Sequence, residues 1–198
     1  MAKIKLTKNE LKKQKDDLKR FNRYLPTLIL KKQQLQMEIH KVNILHEQKL
    51  EEKKNLTNEI MQWVELFGEG VGIENLIKID SVTLDEGNIA GIDIPIFKSL
   101  EFKEEPYDLF LVPLWVDRAV NDLKKVFEVD IELRILDKQV ELLKQELRVT
   151  TQRVNLFEKV KIPESKENIR KIQIYMGDEQ TAAVVRGKIA KNKIEKAS

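Results

Sequence analysis

Leu11-Lys12-Lys13-Gln14-Lys15-Asp16-Asp17-Leu18-Lys19-Arg20-Phe21-Asn22-Arg23-Tyr24-Leu25 is the stretch on which the fold turns. Leu11, Leu18 and Leu25 stand seven apart, Gln14 and Phe21 fall between them at the same interval, and charged residues fill most of the remainder. An apolar repeat of this period keeps one narrow stripe on a helix and requires a second helix to cover it. Working outward, one seam position reads Leu11, Leu18, Leu25, Lys32, Ile39, His46, Lys53, Ile60, Phe67, and the other Gln14, Phe21, Leu28, Leu35, Val42, Lys49, Leu56, Trp63. Twelve of these seventeen residues are apolar, so the spacing predicts a coiled-coil helix over eight heptads. Thr7 with Glu10 three residues on is the capping box that opens it. Pro26 removes one backbone hydrogen bond and crowds the carbonyl of Asn22, which predicts a kink or short break with the seam in phase across it. His46 on the seam reads as a polar residue that fixes register.

The same period returns in the C-terminal half. Ala119, Val126, Leu133, Val140, Leu147 and Val154 hold one seam position, and Val129, Leu136, Leu143 and Phe157 hold the other, with Asp122 and Thr150 as exceptions. Pro113 suits the first turn of this helix, and Pro163 predicts a second kink. Beyond it Ile169, Ile172, Met176, Ala183, Gly187 and Ala190 share one side and become progressively smaller. Gly68, Gly70 and Gly72 end the first helix. Between the helices, residues 76–84 and 89–96 alternate with period two, and Asp85-Glu86-Gly87-Asn88 carries turn chemistry, which predicts a β-hairpin with Pro95 confining the second strand to an edge. The fold class expected is therefore mainly α: a long antiparallel two-helix coiled coil made by the N- and C-terminal helices, with a small hairpin-containing domain between them. Its divisions are 1–67, 68–112 and 113–198. Helices of roughly 60 to 80 residues would each extend about 90 to 120 Å, and the second outruns the first.

Composition agrees with an elongated molecule. Charged residues make up 35% of the 198 and aromatics 6%, with a net charge of only +3. Both ends are basic, and cysteine is absent, which excludes disulfides and thiolate metal sites. No apolar run reaches the length of a signal peptide core or a membrane span, so the expected location is cytoplasmic. No phosphate loop is present, and the glycines at 68, 70 and 72 follow a helix rather than a strand. His40 and His46, six apart, do not share a helix face as a metal pair would. The paired carboxylates Glu51-Glu52 and Glu104-Glu105 read as solvated surface, and the basic ends lack the interleaved aromatics of a nucleic-acid site. Trp63 and Trp115 sit at the inner helix ends, where packing is the stronger reading than ligand stacking. The expectation is no catalytic residue, no cofactor, no metal, no nucleic acid and no direct membrane insertion.

Three segments resemble one family. Leu6-Thr7-Lys8-Asn9-Glu10-Leu11-Lys12-Lys13-Gln14 is similar to the opening of the D subunit of the V-type and A-type rotary ATPases, with Leu6 where the family usually has proline. Leu28-Ile29-Leu30-Lys31-Lys32-Gln33-Gln34-Leu35 resembles the motif that follows. The most specific match is Arg153-Val154-Asn155-Leu156 through Ile162-Pro163, followed by Ile169 and Ile172. Pro26 and the Met176–Ala183 stretch depart from the family pattern.

The resemblance implies a non-catalytic central rotor axle that passes torque between ATP hydrolysis or synthesis and ion translocation, peripheral to the membrane. Its implied partners are the catalytic A and B subunits, the F subunit of the stalk, and a funnel-shaped subunit that links it to the membrane rotor ring. Arg186, Lys188 and Lys191 are then expected to meet acidic loops of the head. Ile77, Ile79, Ile92 and Ile94 mark a hairpin that docks the stalk or regulates hydrolysis, and Arg153, Asn155 and Pro163 carry the family motif. A prefoldin-like chaperone would also combine a long coiled coil with hairpins, but it has no place for the Arg153–Pro163 segment, and a structural coiled-coil tether is the third reading.

Overall fold

The computed structural model describes residues 4–62, 76–104, 113 and 115–197. Its elements are α1 (Lys8–Met61), β1 (Ile77–Ile89), β2 (Ile92–Glu104), α2 (Trp115–Leu156), a π-helical turn (Phe157–Lys161) and α3 (Ile162–Ala197). Among the described residues the fold is thus mainly helical, with one two-stranded antiparallel sheet. The expectations placed on Trp63, Phe67, Gly68, Gly70, Gly72 and residues 107–112, and with them the domain boundaries at 67 and 112, lie outside the described residues.

At the start of α1 the Glu10 backbone N–H donates to Thr7 Oγ1 at 3.4 Å, which is half of the expected capping box. The other half is replaced, because Glu10 Oε1 accepts from Gln14 Nε2 at 2.9 Å. Pro26 does not break the helix, contrary to the expected interruption: α1 runs through it from Lys8 to Met61. Asn22 and Pro26 are both exposed, so water can hydrate the carbonyl that proline leaves unbonded, and the cost stays local.

The chain forms two compact units, Gln33–Arg148 and the pairing of Met1–Lys32 with Val149–Ser198. Within the first, α1 and α2 pack antiparallel around Leu35, Ile39, Val42, Val140 and Leu143. Leu35 and Leu143 are fully buried, and each contributes about 1.5–3 kcal/mol through removal from water. Farther along the same pair the apolar seam gives way to polar seam residues, and these find partners across it. His46 Nε2 lies 3.3 Å from Asp137, Lys49 Nζ 2.7 Å from Glu132, and Lys53 Nζ 2.5 Å from Asp130. The register role expected of His46 thus has two neighbours of the same kind.

The hairpin differs from its expected form in one respect. The turn is Ala90-Gly91, with φ of 54° and 80°, rather than Asp85–Asn88. Two central residues with positive φ match the twist of the flanking strands. Asn88 serves the turn from outside it: its Oδ1 accepts the Gly91 N–H at 3.0 Å, and its Nδ2 donates to Asp93 at 2.7 Å. Packing explains the shift. Ile89, Ala90 and Ile92 lie against the Leu35–Leu143 cluster, a gain that the exposed, polar Asp85–Asn88 segment could not provide. At the hairpin's base, Ile77 is buried with Val116 and Val120, and Phe102, Trp115 and Phe127 pack around them. Trp115 is accordingly a packing residue.

The second unit holds α1 residues 8–32 antiparallel to the end of α2, the π-turn and α3. Phe21 and Phe157 stack with ring centroids 5.2 Å apart, and Asn168 Nδ2 donates to Gln14 Oε1 at 3.4 Å. Val154, Ile162, Ser165, Asn168 and Ile172 are buried. A strict heptad continued from Val154 and Phe157 would bury Lys161, Glu164 and Lys171 in place of Ile162, Ser165 and Ile172. The extra residue of the π-turn, closed by the Ile162 N–H donating to the Phe157 carbonyl, resets the phase by one. Pro163 favours the same geometry, since it has no N–H and its ring would crowd the Lys159 carbonyl in a regular turn. The expected kink at Pro163 is thus a phase shift inside a continuous helix. From Gly177 to Lys196 all side chains except Ala182 are exposed.

Candidate interaction surfaces

Four sets of residues bear on function, and the structure disposes them differently. In the Gln33–Arg148 unit, α1, α2 and the hairpin enclose a groove of about 560 Å³ floored by Val42, Leu45, Ile94, Ile135 and Leu136. Gln139 closes one side by donating its amide to the Pro95 carbonyl at 2.6 Å, so the strand proline contributes an acceptor where it cannot donate. Lysines at the rim are already engaged: Lys41 with Glu38 at 2.7 Å, and Lys49 with Glu132 and Glu52 at 2.7 and 3.1 Å. The Glu132 hydrogen bond holds the Lys49 ammonium above its usual pKa, and burial opposes it. The Lys53 hydrogen bond likewise holds the Asp130 carboxyl below its usual value. These groups tie helix to helix across the seam.

Of the four hairpin isoleucines expected to form a contact surface, the structure turns three inward. Ile77 and Ile94 are buried and Ile92 is half-buried, while Ile79 is 45% exposed. Directly paired residues share a sheet face, and the register pairs Ile79 with Phe102, Val82 with Leu100 and Leu84 with Phe97. Val82 and Leu84 therefore join Ile79 on the outward face, at 40% and 49% exposure. Sequence reasoning missed these two residues. Their signal was a change of parity, from Ile77 and Ile79 at odd positions to Val82 and Leu84 at even ones, and the structure supplies its cause as a bulge at Asp80. A second register shift lies between Thr83 and Leu84, and bulges of this kind add twist. The face that packs inward at the base of the hairpin thus becomes the outward face farther along.

Arg153, Asn155 and Pro163 are all exposed, whereas Val154 between the first two is buried on the seam. The tip residues Arg186, Lys188 and Lys191 are exposed on α3, and Lys191 lies 3.6 Å from Glu195 one turn on. Val184, Ile189 and Ile194 accompany them at 71%, 52% and 68% exposure. Basic and large apolar side chains thus stand together in water at this helix end. Among the described residues no helix is long and apolar enough to cross a membrane, and no cluster of three or more His, Asp and Glu could hold a metal.

Comparison with known proteins gives the sequence a family. Residues 10–192 match the family model that describes the D subunit of ATP synthase. The D subunit of the V-type ATP synthase of Borreliella burgdorferi is 55% identical over 196 residues, covering 99% of this chain and 97% of its own. The proteins of the same name from Chlamydia caviae and Chlamydia trachomatis are 34% and 32% identical, and each match covers 98% of this chain and at least 95% of the relative.

Proposed function

The chain belongs to the D-subunit family of the ATP synthases, and we propose that it is the central rotor axle of a V-type or A-type rotary ATPase. In this reading it is a non-catalytic component that passes torque between ATP hydrolysis or synthesis in the head and ion translocation by the membrane ring. Its partners are the catalytic A and B subunits, the F subunit of the stalk, and the funnel-shaped subunit at the membrane ring, and it lies peripheral to the membrane on the cytoplasmic side. The observation that carries the proposal is the C-terminal end of α3. Among the described residues the other helical segments each bury one face, whereas residues 177–196 bury no side chain and present valines, isoleucines and cations to water. Such a segment suits successive, non-permanent contacts with a ring of surrounding subunits, where Arg186, Lys188 and Lys191 steer by charge.

An axle must also resist twist along its length. Continuous helices joined by an apolar seam and interhelical ion pairs meet that need, and the hairpin's outward face leaves a surface for a stalk neighbour or for control of hydrolysis. The absence of cysteine allows a direct test. A single Lys188→Cys chain, assembled into the complex, is cross-linked from that thiol to the surrounding head. The expected result is loss of ATP turnover that returns on cleavage of the linker. Undiminished turnover in the fully cross-linked complex would refute the rotor reading. A second measurement, Arg186→Gln/Lys188→Gln/Lys191→Gln, tests the tip: coupled hydrolysis is expected to fall with assembly intact, and an unchanged rate removes the electrostatic role.

A further inference from the structure

The stretch from Ile79 to Phe97 contains Asp80, Asp85, Glu86 and Asp93 and not one lysine or arginine, in a chain whose net charge is +3. Among the described residues none of these four carboxylates is in an ion pair, although lysines and glutamates pair freely along the helices. By alternation from the Leu84–Phe97 pair, Glu86 and Asp93 stand on the same sheet face as Leu84, and Asp80 is the bulge residue beside Ile79, whereas Asp85 pairs with Ile96 on the other face. Ile79, Val82 and Leu84 are 45%, 40% and 49% exposed, and Leu100 and Phe97, half-buried, stand opposite the last two. Of the hairpin's other apolar residues, Ile77 and Phe102 pack with Val116 and Val120 at the base, Ile89, Ala90 and Ile92 pack on the Leu35–Leu143 cluster at the tip, and Ile96 is 43% exposed on the opposite face.

We propose that the Ile79–Val82–Leu84 face is a docking surface for a polypeptide partner that presents apolar side chains ringed by lysine or arginine. Three branched aliphatic side chains side by side on a stiff, twisted ribbon offer a contiguous apolar contact, and the uncompensated carboxylates around it select the sign of the partner's rim. A surface of negative charge would be repelled, and so would the acidic hairpin of a second copy. The inference rests on the chain's place in a multisubunit ATPase, which supplies the neighbour.

Zero-length carbodiimide coupling tests it, because that reagent joins a carboxylate to an amine only at contact distance. The intact complex is treated, digested, and its cross-linked peptides sequenced. The expected products join Asp80, Asp85, Glu86 or Asp93 to lysines of another subunit. They should fall at least tenfold in Val82→Ser/Leu84→Ser, whose exposed sites leave the fold intact by circular dichroism. An Asp80→Asn/Glu86→Gln chain should bind that neighbour with a much weaker dependence on salt. An intact complex whose hairpin carboxylates couple to nothing, to this chain's own lysines only, or to a second copy overturns the proposal. A complex that assembles and purifies without this chain overturns the rotary-ATPase reading instead, and is recognised by the chain's absence from it.

Discussion

Deleting one residue from the middle of a long helix rotates everything beyond it by about 100°, yet deletion of Lys159 together with Pro163→Ala should leave this protein close to its original stability. Lys159 is exposed in the π-turn. Removing it shortens that turn to an ordinary helical one and keeps Val154 and Phe157 on one side in phase with Ile162, Ser165 and Ile172 on the other. Pro163 would then lie inside a regular helix at a cost of about 3 kcal/mol, which the alanine removes. The double variant should therefore stay within about 1 kcal/mol of the parent, and the Lys159 deletion alone should lose about 3 kcal/mol. The control is deletion of Gln145, exposed in α2, where no wide turn absorbs the loss. It pulls Val154 and Phe157 from the seam and should cost about 3–6 kcal/mol at about 1.5–3 each. Guanidinium unfolding followed by circular dichroism measures all three. Because the chain has no cysteine, Gln14→Cys/Asn168→Cys with a short bismaleimide reports register directly. The reasoning is refuted if the double variant loses as much as the Gln145 deletion, or if its 14–168 cross-link disappears.

Leu143→Ala should destabilise by about 2–5 kcal/mol, since a fully buried leucine leaves a cavity; a loss below about 1 kcal/mol in a denaturant titration would mean that the seam collapses around it. Ala90→Gly should stabilise by up to about 1 kcal/mol by relieving the positive φ, unless the lost methyl against the Leu35–Leu143 cluster outweighs it, which the same titration would reveal as a net loss. Asp130 has its carboxyl pKa held below the ordinary 3.8, chiefly by Lys53. A depressed carboxyl pKa gives stability that is present above the unfolded value and lost as pH falls through the folded one. Lys53→Met should therefore flatten the stability profile below about pH 4, and an unaltered acid limb would contradict this. Lys49 works in the opposite sense: raised above 10.5 chiefly by Glu132, it gives stability below that pH that is lost as pH rises through the folded value, so Glu132→Gln should flatten the alkaline limb.

Period and charge made most of the helical architecture legible. Seven-residue spacing located the seam, its antiparallel partner and the polar position His46, because the pattern is a direct projection of which side faces the other helix. Failures came where local chemistry competed with tertiary packing. Asp85–Asn88 has the composition of a turn, but the Ile-rich tip has a core to cover, so Ala90 accepts a conformation that alanine seldom adopts. Pro26 and Pro163 look alike in sequence and act differently: one sits on a hydrated face of an unbroken helix, the other beside a widened turn. That turn was in principle readable, since the apolar phase steps from Val154 and Phe157 to Ile162, Ile169, Ile172 and Met176 by one residue more than the heptad allows. Three of the four hairpin isoleucines proved to be internal because alternation alone does not say which face looks outward once bulges have shifted its parity.

Every basic residue of the interhelical ladder, His46, Lys49 and Lys53, stands on α1, and every carboxylate that answers it, Asp137, Glu132 and Asp130, stands on α2. Long helices with apolar seams are promiscuous during synthesis, when one copy's first helix can meet another's before its own second helix exists. Two α1 segments that tried to zip together would set lysine against lysine at these positions. An isolated α1 peptide should accordingly stay monomeric in sedimentation until an α2 peptide is added, and self-association would contradict this. The ladder thus distinguishes α1 from α2 by the sign of its side chains, so that α1 is complementary to α2 at these three positions and not to a second α1.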